Sequence, residues 1–154
     1  MGGETLWPQL GIMMTLDIQI PNFPESIKKI SQNFIDIYCE AEESKQRGLI
    51  QVAGPGFRKA FEFLIKDYAK ISSTTDKHKS IESAAASVVV NNYIPDPRIQ
   101  NVAKRALWLG NDETHYLRKW ENHDIKDLLT LINLTINWIE IEQLSSNYKD
   151  EMPE

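Results

Sequence analysis

The residues best suited to acid–base chemistry lie in one short segment of the C-terminal half. If that segment is helical, Asn111, Asp112 and His115 share a face, because residues three and four apart are neighbours on a helix. A histidine titrates near neutral pH, and an asparagine side chain both donates and accepts hydrogen bonds. This grouping suits general acid–base catalysis or contact with a nucleotide phosphate. The structural alternative is that Asn111 caps a helix after Gly110, while His115 makes local hydrogen bonds or faces a dimer partner.

Arg58 and Glu62 form a second polar grouping, four residues apart and therefore close on one helix face. On the protein surface such an ion pair stabilises a helix by only ~0.3–0.5 kcal/mol. Buried between helices, the same pair can hold the register of two helices or orient Asn111 or His115 in a shared cleft. A substrate-binding role is the alternative.

The ligand types of a metal site are present in Asp112, His115, His123 and Asp124, since histidine and carboxylate ligands three residues apart occur in helical metal sites. However, His123 follows His115 by eight residues, and the sequence predicts a break at 120–122. We therefore expect no metal. The chain also contains no Gly-rich phosphate loop, nucleophile elbow or His-Glu-x-x-His pattern, and we expect no cofactor.

Basic pairs near tryptophans raise RNA binding as a further hypothesis. The pairs at 104–105 and 118–119 lie close to Trp108 and Trp120, and aromatic rings beside arginines can stack nucleobases. More often such charges form a solvated face and such tryptophans lie in a core or an interface. With 17 basic and 22 acidic residues, the chain has a net charge of −5 and lacks the basic surface of a general nucleic-acid binder. RNA is therefore an alternative that we do not favour.

Length and composition predict the class of protein. The chain has 154 residues, 42% of them hydrophobic and 25% charged, as expected for one globular domain. A single cysteine, Cys39, excludes an internal disulfide and fits a reducing compartment. No apolar run approaches the ~20 residues of a membrane span, and the first residues lack the features of a signal peptide. We expect a cytoplasmic protein that does not act at a membrane.

Hydrophobic spacing predicts the elements that position these residues. Alternation at 12–20 is typical of a strand, which would pair with a second copy or lie extended over the helices. Helical spacing predicts five helices. The first runs from 25 to a stop near Gly48, the second from the Gly54-Pro55-Gly56 turn to about 71, and the third over 80–93. The fourth runs from the cap Asp96 to an interruption at Gly110-Asn111, and the fifth from the cap Asp124 to about Asn147. The predicted fold is an all-α bundle of about five helices at 22–147. An extended N-terminal segment at 1–21 precedes it, and an acidic disordered tail at 148–154 follows.

A homodimer is expected from the last helix. Leu131, Leu134, Trp138 and Ile141 lie off its main core stripe, so this helix is apolar nearly all round. Such a helix needs a second surface to cover it.

Two short motifs resemble a bacterial protein family. The segments Phe57-Arg58-Lys59-Ala60-Phe61-Glu62 and Gly110-Asn111-Asp112-Glu113-Thr114-His115 resemble motifs of the domain of unknown function 4145, a HEPN-like helical bundle. The resemblance covers roughly 21–144 and implies a HEPN-like fold, a homodimer and a role in a bacterial defence, toxin–antitoxin or restriction-related system. Because both polar groupings come from these motifs, we favour a structural polar cluster of Arg58, Glu62, Asn111 and Asp112.

The motif departs from that of the HEPN ribonucleases, in which an arginine precedes the histidine by a short interval. The corresponding positions before His115 are 108–110, and none of them is basic. We therefore predict a non-catalytic interaction and self-association domain, for which a further protein partner is also conceivable. The alternative is a metal-independent ribonuclease in which His115 is the general base and either Arg105, the nearest upstream arginine, or Arg118 stabilises the phosphate.

Overall fold

The computed structural model describes residues 17–120 and 122–154. Within these ranges the chain forms seven α-helices and a 3-10 turn at Thr75–Lys77, and it contains no strand. The helices are α1 (Glu25–Ile30), α2 (Gln32–Gln46), α3 (Ile50–Ile71), α4 (His78–Ser83), α5 (Ala86–Tyr93), α6 (Pro97–Asp112) and α7 (Ile125–Glu151). The predicted all-α class is confirmed for these residues. None of the helices described here has both the length and the apolar run that crossing a bilayer requires.

The central helix is α3, which contacts all six other helices. Its Phe57 and Phe61 are fully buried, as their helical spacing predicts. Phe57 meets the ring of Tyr38 on α2 edge to face, with 4.9 Å between ring centroids. Tyr38 in turn packs edge to face against Phe23 and Phe34. Edge-to-face pairs of this kind stabilise the contact beyond simple burial, so this aromatic cluster fixes α2 and the segment just before α1 against α3.

The predicted first helix is divided in two at Ser31. The Ser31 backbone is extended, with φ −151° and ψ 92°. Its hydroxyl accepts a hydrogen bond from the Phe34 N–H (3.1 Å) and donates to the Asp67 carboxylate on α3 (2.5 Å). The apolar spacing continues past Ser31 and predicts one helix. The buried serine caps α2 and binds α3, and α1 therefore ends there. At the other end of α2, Gly48 has φ 83°, and the predicted stop is confirmed.

The predicted start of the second helix at Gly54-Pro55-Gly56 is wrong, because α3 begins five residues before Pro55. The two glycines allow close packing rather than a turn. A Cβ on Gly54 would lie 2.5 Å from Oε2 of Glu113, and one on Gly56 would lie 3.0 Å from Cβ of Ala41. The missing side chain at Gly54 leaves room for Glu113, which follows α6. The missing side chain at Gly56 leaves room for Ala41 of α2.

Two further boundaries differ from the prediction. The segment 80–93 forms two helices, α4 and α5, because Ala84 and Ala85 between them have extended backbone angles. Asp96 caps α6 by accepting a hydrogen bond from the backbone N–H of Arg98, as predicted. However, α6 is not interrupted at Gly110-Asn111 and continues to Asp112.

The last helix begins as predicted and ends later. The Asp124 side chain caps α7, and the Asp127 side chain accepts in return from the Asp124 N–H, which completes a capping box. The helix continues to Glu151, so the residues from 148 to 151 are helical and the tail predicted there is wrong. Lys149 in the last turn favours this extension, since a cation stabilises the carboxyl end of a helix.

Most of the alternating segment at 12–20 lies outside the described residues, which begin at Asp17. From 17 to 20 the chain has no regular secondary structure. The Gln46 side chain accepts from the Gln19 N–H (2.8 Å) and donates to the Gln19 carbonyl (2.7 Å). One amide side chain of α2 thus satisfies both backbone groups that a neighbouring strand would otherwise bind.

Candidate functional site

Arg58 joins the two motifs that the sequence singled out. Its Nε donates to Oδ1 of Asn111 on α6 (2.9 Å), and its Nη1 donates to Oε2 of Glu62 (2.8 Å). The other carboxylate oxygen of Glu62 lies 3.0 Å from Nζ of Lys66. The structure therefore brings Arg58, Glu62 and Asn111 together, and each is bound by another member of the group.

Close approach of α3 and α6 makes this polar cluster possible. A Cβ on Gly110 would lie 2.6 Å from Cδ of Arg58, so glycine leaves room for the aliphatic stem of the arginine. Gly54 of α3 makes room for Glu113 in the same way. Each helix thus carries a glycine that faces a charged side chain, Arg58 of α3 in one case and Glu113, just after α6, in the other. Arg58 fills the space between the helices, so the cluster is a packed helix contact.

The charge of Glu62 follows from these contacts. Partial burial raises its pKa, but hydrogen bonds from Lys66 and Arg58 outweigh this effect and hold the pKa below its ordinary value. Glu62 is therefore ionised at neutral pH and engaged by two cations. Such a carboxylate is poorly suited to act as a general acid.

Asp112 does not join the cluster with its neighbour Asn111. It is buried, and its Oδ2 accepts a hydrogen bond from the Trp120 backbone N–H (2.5 Å). Consecutive residues of a helix point about 100° apart, so Asp112 faces the loop between α6 and α7 while Asn111 faces α3. Arg118 also holds this loop by donating to Oε1 of Glu113 (3.1 Å) and to the His123 carbonyl (2.7 Å).

His115 lies in the turn after α6 and is exposed. Because α6 ends at Asp112, the expected helix face shared by Asn111, Asp112 and His115 does not form. Among the described residues the His115 side chain has no hydrogen-bond partner. Arg105 instead donates to the carbonyl and side-chain oxygens of Asn101. His115 does not line the cavity that Arg105 lines, so the structure does not place these two residues in one site.

A cavity of about 480 Å³ lies between α6, the following loop and α7. On one side Trp108 and Trp120 stack, with 5.9 Å between ring centroids and 12° between planes. The Arg105 guanidinium lies 5.5 Å from the Trp108 centroid, and Nζ of Lys119 lies 5.1 Å from the Trp120 centroid. One residue of each basic pair therefore lies beside a tryptophan, and Arg105, Trp108 and Trp120 line this cavity, which we call the tryptophan cavity.

The lining of the tryptophan cavity also contains a pair that the sequence analysis missed. Nδ1 of His123 lies 3.2 Å from Oδ2 of Asp127, one helical turn further along the chain. The four-residue spacing is visible in the sequence, in which His123 stands out only as a possible metal ligand with Asp112, His115 and Asp124. Within 17–120 and 122–154 no group of three or more His, Cys, Asp or Glu residues is arranged to hold a metal ion.

The outer face of α7 carries exposed apolar residues. Leu134 is 41% exposed, Ile141 47% and Tyr148 63%. Leu131 and Trp138, also expected on this face, are instead half-buried against the core. From Leu144 onward every residue of the chain is exposed.

Comparisons with known proteins reveal no relative. No family model, curated protein or solved structure matches the chain. Function is therefore inferred from the geometry of the described residues, and the motif resemblance contributes only a proposal about biological setting.

Proposed function

We propose that this protein is a non-catalytic helical self-association module that forms a homodimer through α7. The observation that carries the proposal is an apolar line along the exposed side of this helix. Leu134, Ile141 and Tyr148 recur every seven residues, and all three are exposed. A seven-residue apolar repeat is typical of helices that pair side by side.

The last turns of α7 require a partner to cover this line. No part of the chain beyond Leu144 is buried, although the helix continues to Glu151. Isolated helices of fewer than ~12–15 residues are marginal in water, and an apolar face adds a further cost while it stays exposed. Helix pairing would bury this face.

A second copy of the chain fits this surface. A two-fold axis brings identical patches together, so the seven-residue repeat of one copy meets that of the other. In an antiparallel pair centred on Ile141, Leu134 of each copy meets Tyr148 of the other copy.

Sedimentation equilibrium of the full chain at micromolar concentration tests the dimer. We expect a species of twice 17.7 kDa, and a single species of 17.7 kDa would refute the proposal. The informative variant is Ile141→Glu, and its matched control is Ile50→Glu, since the two isoleucines are 47% and 48% exposed. Ile50 begins α3, where an acidic residue suits the helix end.

The expected loss follows from burial of Ile141 in both copies. Full burial of an isoleucine contributes about 1.5–3 kcal/mol, and Ile141 is already about half buried in one chain, so two copies lose about 1.5–3 kcal/mol and the dimer weakens by about 10–10²-fold. Ile50→Glu should leave the association constant unchanged. Equal effects of the two substitutions would show that α7 is not the interface.

The motif resemblance supports a biological setting for this module. HEPN-like proteins of the domain of unknown function 4145 family belong to bacterial defence, toxin–antitoxin or restriction-related systems, and we propose such a role in the cytoplasm. The separation of His115 from Arg105 favours the non-catalytic form over the ribonuclease. Incubation with mixed RNA in EDTA should therefore leave the RNA intact. Cleavage to 2′,3′-cyclic phosphate ends that falls by ~10²–10⁴-fold in His115→Ala would overturn this part of the proposal.

A further inference from the structure

We infer that the tryptophan cavity of each copy receives the carboxyl end of α7 from the other copy, with Met152 as the inserted side chain. This inference rests on the α7 dimer proposed above and names what that dimer places in the cavity. The cavity volume of about 480 Å³ falls within the range of sites that take a small molecule. It is therefore large enough for a side chain at the end of a helix.

The tryptophan cavity opens on the same side of α7 as the exposed apolar line. Asp127, Thr130 and Leu131 of α7 belong to its lining. Asp127 precedes Leu134 by seven residues, and Thr130 and Leu131 precede it by four and three. Residues at these spacings share one face of a helix. The dimer surface proposed along α7 therefore continues into the wall of the cavity.

The register of an antiparallel pair brings Met152 to this wall. In a pair centred on Ile141, positions equally far from the centre meet across the two-fold axis. Met152 lies eleven residues after Ile141, and Thr130 lies eleven residues before it. Both are therefore roughly 16 Å from the centre along the helix, and helices that cross at about 20° stay in contact over that distance. Met152 of each copy meets Thr130 of the other copy.

The wall of the cavity suits a methionine side chain. Met152 is 74% exposed in the single chain. The apolar residues of the cavity lining are Trp108, Leu109, Trp120 and Leu131. The tryptophan faces are engaged by each other and by neighbouring cations, so an inserted side chain contacts the ring edges. A thioether is flexible, and its sulfur packs well at the edge of an aromatic ring.

Charge also matches the carboxyl end of α7 to the cavity. The acidic residues around Met152 are Asp150, Glu151 and Glu154. In the cavity lining, Arg105 uses Nη1 for its hydrogen bonds to Asn101, and a guanidinium carries five N–H donors in total. Donors therefore remain for a carboxylate, the group that planar arginine binds best. The one carboxylate of the lining, that of Asp127, is paired with His123.

Disulfide trapping of the full chain tests this register. The variant carries Thr130→Cys and Met152→Cys in a Cys39→Ala background. Within one chain these positions are 22 residues apart on α7, roughly 33 Å, whereas a disulfide needs Cα atoms within ~7 Å. A disulfide between them must therefore join two copies. After mild oxidation we expect a covalent dimer of twice 17.7 kDa on a non-reducing gel.

Two kinds of control accompany the trapping experiment. Asn92→Cys replaces Thr130→Cys in the matched variant, since Asn92 is also exposed but lies on α5, and this variant should give no covalent dimer. Each single-cysteine variant, Thr130→Cys or Met152→Cys alone, should also remain a single chain on the gel. Circular dichroism checks the fold of every variant.

Substitution of Met152 tests the contact itself. Met152→Ala removes a side chain buried in each of two copies, so it should raise the dissociation constant of the dimer by about tenfold or more in sedimentation equilibrium. Met152→Leu keeps the apolar volume and should restore most of the affinity. The matched control is Val52→Ala at the start of α3, where Val52 is 58% exposed, and it should leave the dissociation constant unchanged.

The results separate this inference from the proposed dimer. A wild type that stays at 17.7 kDa would refute both. A wild-type dimer whose Thr130→Cys and Met152→Cys variant forms no disulfide would overturn this inference but not the α7 dimer. A dimer that Met152→Ala does not weaken would do the same, and would mean that the cavity takes another occupant. Single-cysteine variants that cross-link as readily as the double variant would indicate a parallel pair and overturn the inference.

Discussion

The substitution Gly110→Ala tests the packing of α3 against α6. An added Cβ would lie 2.6 Å from Cδ of Arg58, and 3.1 and 3.2 Å from its Cβ and Cγ. Ordinary carbon contacts are ~3.5–4.0 Å, so rotation of the side-chain end alone does not relieve all three contacts. We expect Arg58 to leave its position, which breaks its hydrogen bonds to Asn111 and Glu62.

The magnitude follows from two opposing effects. Alanine is favoured over glycine within a helix by about 0.5–1 kcal/mol. A hydrogen bond to a charged group contributes ~1.5–3 kcal/mol, and partial exposure of the Glu62 pair, at 18% and 35%, favours the lower end. The net expectation is destabilisation by about 2 kcal/mol. In a domain of this size that lowers the melting temperature by about 4–8 °C.

A double-mutant cycle in urea unfolding measures this coupling at fixed protein concentration. In an Arg58→Ala background the Cγ and Cδ contacts are absent, so Gly110→Ala should be neutral or stabilising by up to ~1 kcal/mol. The matched control is Gly54→Ala, which meets Glu113 instead and should be additive with Arg58→Ala. Equal costs of Gly110→Ala with and without Arg58 would refute this account of the glycine.

Two further changes have defined outcomes. Because the pKa of Glu62 is lowered in the folded state, its stabilising effect is present above its ordinary value of 4.5 and is lost as the pH falls through the folded value. The difference in the free energy of unfolding between the wild type and Glu62→Gln should therefore shrink below that pH in urea titrations, and a constant difference would contradict it. Gly48→Ala meets no atom within 4 Å but must adopt φ 83°, so it should destabilise by ~1–2 kcal/mol in thermal melts and by more than Gly48→Asn.

Local chemistry made some boundaries predictable from the sequence. Asp96 and Asp124 cap the helices that follow them, and Gly48 ends α2 with a positive φ. Each of these features depends on hydrogen bonds or backbone angles within a few residues of itself. Caps and left-handed turns can therefore be predicted from the local sequence alone.

The wrong boundaries have causes that are distant in sequence. A glycine such as Gly110 is typical of a helix break, yet it lies inside α6. Arg58, 52 residues earlier in the chain, occupies the space that a side chain at this position would need. Ser31 was expected inside a helix, yet its hydroxyl binds Asp67, 36 residues later. Apolar spacing carries no information about such partners, since it reports only which face of a helix is buried.

The contacts of the candidate sites also depend on partners that are distant in sequence. The i,i+4 spacing of Arg58 and Glu62 indicated their pair, but the direction in which Asp112 points depends on the loop that ends at Asp124. Its side chain binds the Trp120 backbone in that loop rather than Arg58. The sequence places Trp108 and Trp120 near the basic pairs at 104–105 and 118–119. Their meeting at one cavity requires the loop to fold back, which no spacing rule predicts.

Arg58, the central residue of the first motif, has a structural role in this chain. Arg58 directs one nitrogen to Asn111 and another to Glu62, and its stem fills the space above Gly110. A side chain in this position closes the contact between α3 and α6 and cannot move to a substrate without opening it. Substitution of Arg58 should therefore lower the stability of the bundle before it changes any binding. The groups still available to a ligand or partner lie elsewhere, in the tryptophan cavity and on the outer face of α7.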